Sequence, residues 1–139
     1  MTIDNVTFLN IPKIPDERGN ISFLQNNDQI PFEIKSVYWI NDVPSGTEMT
    51  GHTNKDAQEI IIALSGCFDV LVSDGSHERI FTLNRPDTCL YIPRMMWRRM
   101  ANFSTNSVAL VTSDKPANCG GYIMDFGQLQ QERKYAAAV

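Results

Sequence analysis

Between residues 8 and 113 the chain alternates between short apolar runs and short groups of Gly, Pro, Asn and Asp. The runs are rich in β-branched and aromatic residues, a composition typical of strands. The pattern predicts strands at residues 21–24, 34–40, 59–64, 68–72, 79–83, 89–92 and 107–112. Many short strands separated by turn signals indicate an all-β barrel or sandwich.

The remaining pattern adds a hairpin turn, a loop and one helix. The Asp74-Gly75 pair lies between two of the apolar runs and predicts a hairpin turn. Residues 115–121, which contain Pro, Asn and two Gly, predict a loop, and only residues 126–138 have the composition of a helix. The sequence contains neither a repeat nor a linker, so residues 1–139 are expected to form a single domain.

Composition excludes several classes of protein. The apolar fraction of 42% and the charged fraction of 20% are ordinary for a soluble protein, and a net charge of −4 does not predict nucleic-acid binding. No apolar stretch approaches the roughly 20 residues that cross a bilayer, and the first ten residues do not resemble a signal peptide. The cysteines Cys67, Cys89 and Cys119 are scattered, which predicts reduced thiols and a cytoplasmic protein.

The polar residues between the apolar runs show two regular spacings, Gly46-x5-His52-x-Asn54-x4-Glu59-x6-Gly66 and Pro93-x-Met95-x2-Arg98-x3-Asn102. These spacings resemble the two cupin motifs, in which three His and one Glu hold a metal ion. Here Asn54 and Arg98 stand where the motifs have the second and third His. An arginine keeps its proton and repels a cation. The resemblance predicts a cupin double-stranded β-helix (jelly roll) with no metal, and a metal-dependent cupin enzyme is disfavoured.

His52 is the strongest candidate for proton transfer. A neutral imidazole in a partly apolar cavity is expected to titrate near pH 7, as a general acid or base should. Asn54 could bind a sugar hydroxyl or orient the His52 ring. Glu59 could be a second acid or base, a partner of Arg98, an orienter of His52 or an outward-facing charge. Because strand side chains alternate, Glu59 faces inward if Ile61 does.

A second candidate feature is a group of arginines, Arg94, Arg98 and Arg99, around Trp97. Arginine forms forked bonds with phosphate oxygens, and the indole ring offers a stacking surface for a base. The group therefore favours a nucleotide diphosphate as ligand. A solvated turn with one buried Trp is the alternative that the sequence leaves open.

Five segments carry a wider resemblance from Phe8 to about Leu129: Asp16-x-Arg18-Gly19, Val37-Tyr38-Trp39, His52-Thr53-Asn54-Lys55 leading to Gly66, Ile92-Pro93 to Trp97, and Phe103-Ser104 to Ser113-Asp114. Together they resemble the sugar 3,4-ketoisomerases that act on dTDP-4-keto-6-deoxyglucose, which are metal-free cupins of deoxysugar pathways. The second His of that family is Asn54 in this chain, and the Tyr that often follows Ser-Asp is Lys115.

The resemblance implies a homodimer with exchanged N-terminal strands, a dTDP-linked sugar in each barrel, and no cofactor or metal. It implies that the carbonyl moves from C4 to C3 through an enediol. The resemblance gives His52 as a catalytic position and Tyr38 and Arg18 as residues that line the sugar and phosphate site. Together with the candidates above, the predicted catalytic residues are His52, Glu59 and Tyr38, and the predicted substrate-binding residues are Arg18, Asn54, Trp97 and Arg98. The resemblance also implies that the residue at this position, Arg98 here and His in some members, helps to set the face of C4 that receives the proton.

Two functions remain open because one general acid or base supplies only about 10²–10⁴-fold in rate and two are normally used. The first is an isomerase in which His52 serves both carbons or shares the task with Glu59. The second is a catalytically silent relative that binds a nucleotide sugar and acts as a partner of a biosynthetic enzyme.

Overall fold

The structure, a computed structural model, describes residues 1–117, 122–123 and 125–137. Its elements are a short 3-10 helix (Ile3–Asn5), β1 (Thr7–Asn10), β2 (Lys13–Asp16), β3 (Gly19–Ser22), β4 (Ser36–Ile40), β5 (His52–Asn54), β6 (Glu59–Ser65), β7 (Phe68–Ser73), β8 (Glu78–Leu83), β9 (Thr88–Ile92), β10 (Trp97–Ala101), β11 (Val108–Ser113), β12 (Tyr122–Ile123) and α1 (Phe126–Ala137). The seven predicted strands correspond to β3, β4, β6, β7, β8, β9 and β11. The predicted helix is α1, and Ala138 lies outside the described residues.

Ten of the strands named above form two five-stranded antiparallel sheets. Sheet 1 has the order β1-β9-β6-β11-β4, and sheet 2 has the order β12-β5-β10-β7-β8. Buried side chains from both sheets, among them Ile61 and Val111 of sheet 1 and Val70 and Met100 of sheet 2, share one apolar core. Two curled sheets around a single core form the predicted jelly roll, and the prediction of an all-β cupin fold with a short C-terminal helix is confirmed.

Strand β6 shows how side-chain alternation builds this core. Ile61 and Ala63 pack into the space between the sheets, whereas Ile60 and Ile62 join a second apolar cluster on the outer face of sheet 1. Glu59 shares the inner face with Ile61 and is only 3% exposed. The expectation that Glu59 faces inward is therefore confirmed, and the outward-facing alternative is wrong.

Two inner strands were not predicted from the apolar pattern. No predicted strand covers His52 or Trp97, but these residues lie in β5 and β10, which pair with each other, so the alternative of a solvated turn around Trp97 is wrong. The pattern fails here because β5 reads His-Thr-Asn and β10 carries two arginines, so neither strand shows apolar alternation. These two strands are polar because they bring polar side chains into the barrel.

The β2–β3 hairpin stands apart from both sheets. Its two strands pair with each other, and all eight of their residues are exposed. At the far edge of sheet 1, β4 exposes Val37 and Trp39. An isolated two-stranded hairpin is marginally stable in water, so this segment needs a further surface to pack against.

The C-terminal segment docks on the barrel through α1. Leu129 is fully buried, and Glu132 lies 3.4 Å from the ammonium group of Lys55. Of the predicted 115–121 loop, residues 118–121 lie outside the described residues, as does Cys119; Cys67 and Cys89 are free thiols. Among the described helices, none is long and apolar enough to cross a membrane.

Candidate active site

His52 and Arg98 are directly opposite each other on paired strands. His52 of β5 is the register partner of Arg98 of β10, and side chains at opposed positions of an antiparallel pair share a face. Met100, two residues after Arg98, lies in the central core. Both His52 and Arg98 therefore face the inside of the barrel, as the cupin spacing predicts.

The guanidinium of Arg98 is bound on two sides. Its Nε and Nη2 donate to the two carboxylate oxygens of Glu59 at 3.0 and 2.9 Å, and Nη2 also donates to the Tyr38 hydroxyl oxygen at 2.7 Å. The Tyr38 hydroxyl lies 3.5 Å from Glu59 Oε2. We refer to Tyr38, His52, Glu59 and Arg98 as the polar cluster.

Burial makes the Arg98–Glu59 pair strong. Their side chains are 5% and 4% exposed, so water screens the pair little. Burial by itself lowers the pKa of Arg98, but Glu59 and Tyr38 outweigh it and hold that pKa above its ordinary value. Among the alternatives for Glu59, the geometry selects the partner of Arg98. A carboxylate with both oxygens bound by a guanidinium is poorly placed to carry a proton.

His52 titrates far below the pH that the sequence predicts. Burial is the largest cause that lowers the pKa of His52 to about 4, the positive charge of Arg98 acts in the same direction, and Glu59 opposes both. The expected pKa near 7 is therefore wrong, because a buried imidazole beside a guanidinium resists a second positive charge. At neutral pH His52 is an uncharged base.

The arginines near Trp97 do not form a single cationic cluster. Arg94 pairs with Asp114 at 2.9 Å, Arg98 pairs with Glu59, and Arg99 pairs with Glu48 at 3.2 Å. The predicted cluster is wrong because Arg98 and Arg99 are adjacent in β10 and point to opposite faces, while Arg94 lies in the turn before β10. Each arginine therefore meets a different carboxylate. The polar cluster consequently contains a cation and an anion in balance.

Trp97 lies on the opposite face of β10 from Arg98. Its ring contacts Phe126 edge-on, with the ring centroids 5.5 Å apart. A Cβ atom on Gly51 would lie only 2.4 Å from the Trp97 ring, so this contact requires glycine. We therefore assign Trp97 to packing between β5, β10 and α1, since the structure does not bring its ring to the polar cluster.

The other two predicted binding residues are in different places. Asn54 is half-buried in β5 and shares the inner face with His52, from which it is separated by one residue. Arg18 lies at the turn of the β2–β3 hairpin, where its side chain is 90% exposed and bonds to Asp16. The structure brings Asn54 to the barrel interior but leaves Arg18 in solvent.

The turn before β10 carries an unusual backbone conformation. Met95, which replaces the motif glycine, has a φ of 64°. Left-handed φ costs a side-chain-bearing residue roughly 1–2 kcal/mol. The turn is held by hydrogen bonds from Met95 N to Asn54 O at 2.9 Å and from Arg133 Nε to Met95 O at 2.8 Å. These bonds fix the entry to the strand that carries Arg98.

Sequence reasoning missed one polar network beside the polar cluster. Asp114 binds Gln58 and Arg94, and Gln58 accepts a hydrogen bond from the Tyr91 hydroxyl. The only signal in the sequence was the Ser113-Asp114 pair, which entered as part of a resemblance without a role. Burial also raises the pKa of Tyr91, because it disfavours the phenolate.

The residues present do not suit a divalent cation. Within residues 1–117, 122–123 and 125–137, no group of three or more His, Cys, Asp or Glu side chains could hold a metal ion. Inside the barrel one imidazole stands beside a carboxylate that already binds a guanidinium. This donor set fits a ligand held by hydrogen bonds.

Fold and site together define a cupin-type jelly roll whose interior offers a neutral imidazole, a phenol and a neutralised guanidinium. The family described as FdtA, WxcM-like, C-terminal matches residues 4–134, and the chain belongs to this family. A curated relative from Aneurinibacillus thermoaerophilus, TDP-4-oxo-6-deoxy-alpha-D-glucose-3,4-oxoisomerase, is 32% identical over 132 residues, which cover 94% of this chain and 92% of the relative.

Solved structures agree with this assignment. The TDP-quinovose 3,4-ketoisomerase WlaRB from Campylobacter jejuni is 36% identical with a TM-score of 0.89, covering 93% of this chain and 99% of that one. QdtA from Thermoanaerobacterium thermosaccharolyticum, a sugar 3,4-ketoisomerase in complex with TDP, is 28% identical with a TM-score of 0.92, covering 96% and 98%. The predicted family is confirmed.

Proposed function

We propose that this protein is an isomerase that moves the carbonyl of a TDP-linked 4-keto-6-deoxyhexose from C4 to C3. The observation that carries the proposal is the pairing of His52 with Arg98 inside the barrel, with Tyr38 bound to the same guanidinium. Keto–enol chemistry needs a base for the carbon-bound proton and an acid for the carbonyl oxygen, and a neutral imidazole beside a polarised phenol can supply both. The relatives described above carry out this class of reaction on TDP sugars.

In the first half of the reaction, neutral His52 accepts the proton from C3. The C3–H electron pair forms the C3–C4 double bond, and the former carbonyl oxygen at C4 takes a proton from the Tyr38 hydroxyl and becomes a hydroxyl of the enediol. In the second half, C4 takes a proton from the His52 imidazolium, while the C3 hydroxyl returns a proton to the Tyr38 oxygen and becomes the carbonyl. The reaction is a redistribution of protons, so it needs no oxidant or reductant.

Tyr38 is the residue that we assign to the sugar oxygens. Tyr38 as a whole is 40% exposed, and its hydroxyl oxygen accepts a hydrogen bond from the buried Arg98. A guanidinium at 2.7 Å stabilises negative charge on the phenol oxygen, so Tyr38 can lend and recover a proton. Glu59 keeps Arg98 in place, and Asn54 binds a sugar hydroxyl. This division explains how the site works with an amide in place of a second imidazole.

The experiment is to mix the protein with TDP-4-keto-6-deoxyglucose in deuterated buffer and to follow the sugar by proton NMR. The expected result is loss of the C3 proton signal and growth of the 3-keto isomer. Binding of the nucleotide sugar without exchange would contradict the proposal and would identify a silent binding protein instead. The TDP-bound protein should also be crystallised to locate C3 relative to His52.

The pH dependence of this activity follows from the buried imidazole. The pKa of His52 is about 4 against an ordinary value of 6.5, so the base remains neutral throughout that interval. We expect kcat/KM to be flat from pH 8 to about 5 and to fall as the pH drops towards 4. Between pH 6.5 and 4 the unfolded chain binds a proton at His52 that the folded chain does not bind. The contribution of His52 to the free energy of unfolding therefore decreases as the pH is lowered through this range.

The measurement is a kcat/KM profile against pH, with circular dichroism at each point to verify that the protein stays folded. A loss of activity already centred between pH 6 and 7 is the signature of a water-exposed imidazole. That result would contradict the buried environment of His52.

We further propose that two copies of the chain exchange their N-terminal hairpins. Ile14 and Ile21 of the hairpin are 52% and 61% exposed, and Val37 and Trp39 on the edge strand β4 are 48% and 64% exposed. A second copy supplies the cover for both surfaces, since edge strands pair readily and a two-fold dimer is the commonest oligomer. The exposed Arg18 at the hairpin turn then reaches the partner barrel, where it binds the diphosphate.

Ile21→Glu tests the exchanged dimer. Because Ile21 is exposed in a single subunit, the substitution should leave the barrel folded but shift the mass measured by sedimentation equilibrium from two chains to one. Ile80→Glu is the matched control, since Ile80 is 65% exposed but lies on β8 of sheet 2. An unchanged dimer in the Ile21 variant would contradict the exchange.

The free thiols of Cys67 and Cys89 support a cytoplasmic location.

A further inference from the structure

One carboxylate outside the polar cluster binds three groups at the ends of the two sheets. Asp114 Oδ1 accepts from the backbone N of Gln58 at 2.9 Å, and Oδ2 accepts from Gln58 Nε2 and Arg94 Nη2, both at 2.9 Å. Its side chain is only 10% exposed. We call Gln58, Arg94 and Asp114 the bracket.

The bracket extends the β6–β11 ladder by one position. The last register pair is Ser113 with Glu59, and the next residues outward are Asp114 and Gln58. Asp114 N donates to Gln58 O at 3.3 Å. In a regular ladder a backbone carbonyl would accept the hydrogen bond from Gln58 N, but here the Asp114 carboxylate accepts it. The backbone on either side of Glu59 is thereby fixed.

The bracket also reaches the other sheet. Arg94 belongs to the turn that leads into β10, and its Nε donates to Asp56 O at 2.7 Å. Glu59 comes from sheet 1 and Arg98 from sheet 2, so the separation of the two sheets at this end sets the geometry of their ion pair. Asp114 joins the backbone beside Glu59 to the turn before Arg98.

We propose that the bracket is a positioning device that sets the Arg98–Glu59 ion pair and, through Arg98, the Tyr38 hydroxyl. The inference rests on the proposed isomerase function for its kinetic consequence but not for its structural one. Asp114, Gln58 and Arg94 are positioning residues, because they act through Glu59 and Arg98 and not on the sugar. A displacement of about 1 Å at a reacting group can cost up to a hundredfold in rate.

Asp114→Asn tests the bracket, because the amide group turns one of the accepted hydrogen bonds into a clash between donors. We expect a shift of the Arg98 Nε–H signal in ¹⁵N-correlated NMR, assigned by its loss in Arg98→Lys. We also expect kcat to fall by about tenfold with KM within twofold of wild type. The matched control is Asp69→Asn: Asp69 also bridges two segments, Thr82 and Asn102, but away from the polar cluster, and both readouts should stay unchanged.

A double-mutant cycle with Glu59→Gln separates action through the ion pair from general damage. If the bracket works through Glu59, Asp114→Asn costs less than about twofold in the Glu59→Gln background. Full additivity, or an unshifted Arg98 signal, overturns the inference. Gln58→Met should reproduce the Arg98 shift and serves if Asp114→Asn does not fold.

The two proposals fail in distinguishable ways. A wild-type protein that does not isomerise the sugar contradicts the proposed function, but the Arg98 signal still tests the bracket. An active wild type with an unaffected Asp114→Asn variant contradicts the bracket alone.

Discussion

Replacing His52 with asparagine is expected to lower the rate of carbonyl migration by about 10²–10⁴-fold, the usual contribution of a general base. Asparagine keeps a polar side chain of similar reach but cannot accept the C3 proton. Because the imidazole acts on the transition state, the binding free energy of TDP should change by less than about 1 kcal/mol. Proton exchange in deuterated buffer measures the first quantity, and titration calorimetry measures the second.

His77 provides the matched control, since the chain has two histidines and this one lies in the β7–β8 turn with its side chain 77% exposed. His77→Asn should retain wild-type turnover. Comparable turnover in the two variants would remove His52 from the mechanism. A large loss of TDP affinity in His52→Asn would instead show that the residue supports binding.

Glu59→Ala is expected to lower the free energy of unfolding by about 3–5 kcal/mol, because it leaves the Arg98 guanidinium buried without its counter-charge. Arg98 is 4% exposed and cannot turn to water without opening the barrel. Urea denaturation at one fixed protein concentration measures the effect, since dissociation of the proposed dimer would otherwise contribute.

The control is Glu48→Ala, which breaks a pair of similar length with Arg99, but Glu48 is 67% exposed. Exposed pairs contribute about 0–1 kcal/mol, so this variant should stay close to wild type. The double variant Glu59→Leu/Arg98→Met should recover much of the stability while remaining inactive, because apolar residues of similar size can replace a buried ion pair. Equal losses in the two single variants would show that the Arg98–Glu59 pair is open to solvent.

The apolar strands were predictable because buried strands consist of runs of apolar residues, which are visible in the sequence. In 59–64 and 68–72 the runs are long and apolar, and β6 and β7 begin at the predicted residues. The Asp74-Gly75 turn is equally explicit, with Gly75 at a φ of 97°. Strands β5 and β10 were missed because cavity-lining strands replace apolar residues with polar ones, which removes the periodicity.

The candidate site was predictable as a set of residue types but not as an arrangement. The spacing placed His52, Asn54, Glu59 and Arg98 in the barrel, and the family resemblance assigned Tyr38 to the same site. The pKa of His52 depends on how deeply the ring is buried and how close Arg98 lies, and neither quantity can be read from the sequence alone. For the same reason the sequence grouped Arg94, Arg98 and Arg99 as one cluster.

The sequence by itself determined that the chain is a jelly roll with one inward imidazole and an arginine in place of a metal ligand, because strand periodicity and motif spacing are local properties. Only the tertiary structure decided that this arginine is neutralised by Glu59, that Trp97 faces α1, and that Asp114 holds the ends of two sheets together. Each of these contacts joins residues at least 20 positions apart, and such pairs are chosen by packing in three dimensions.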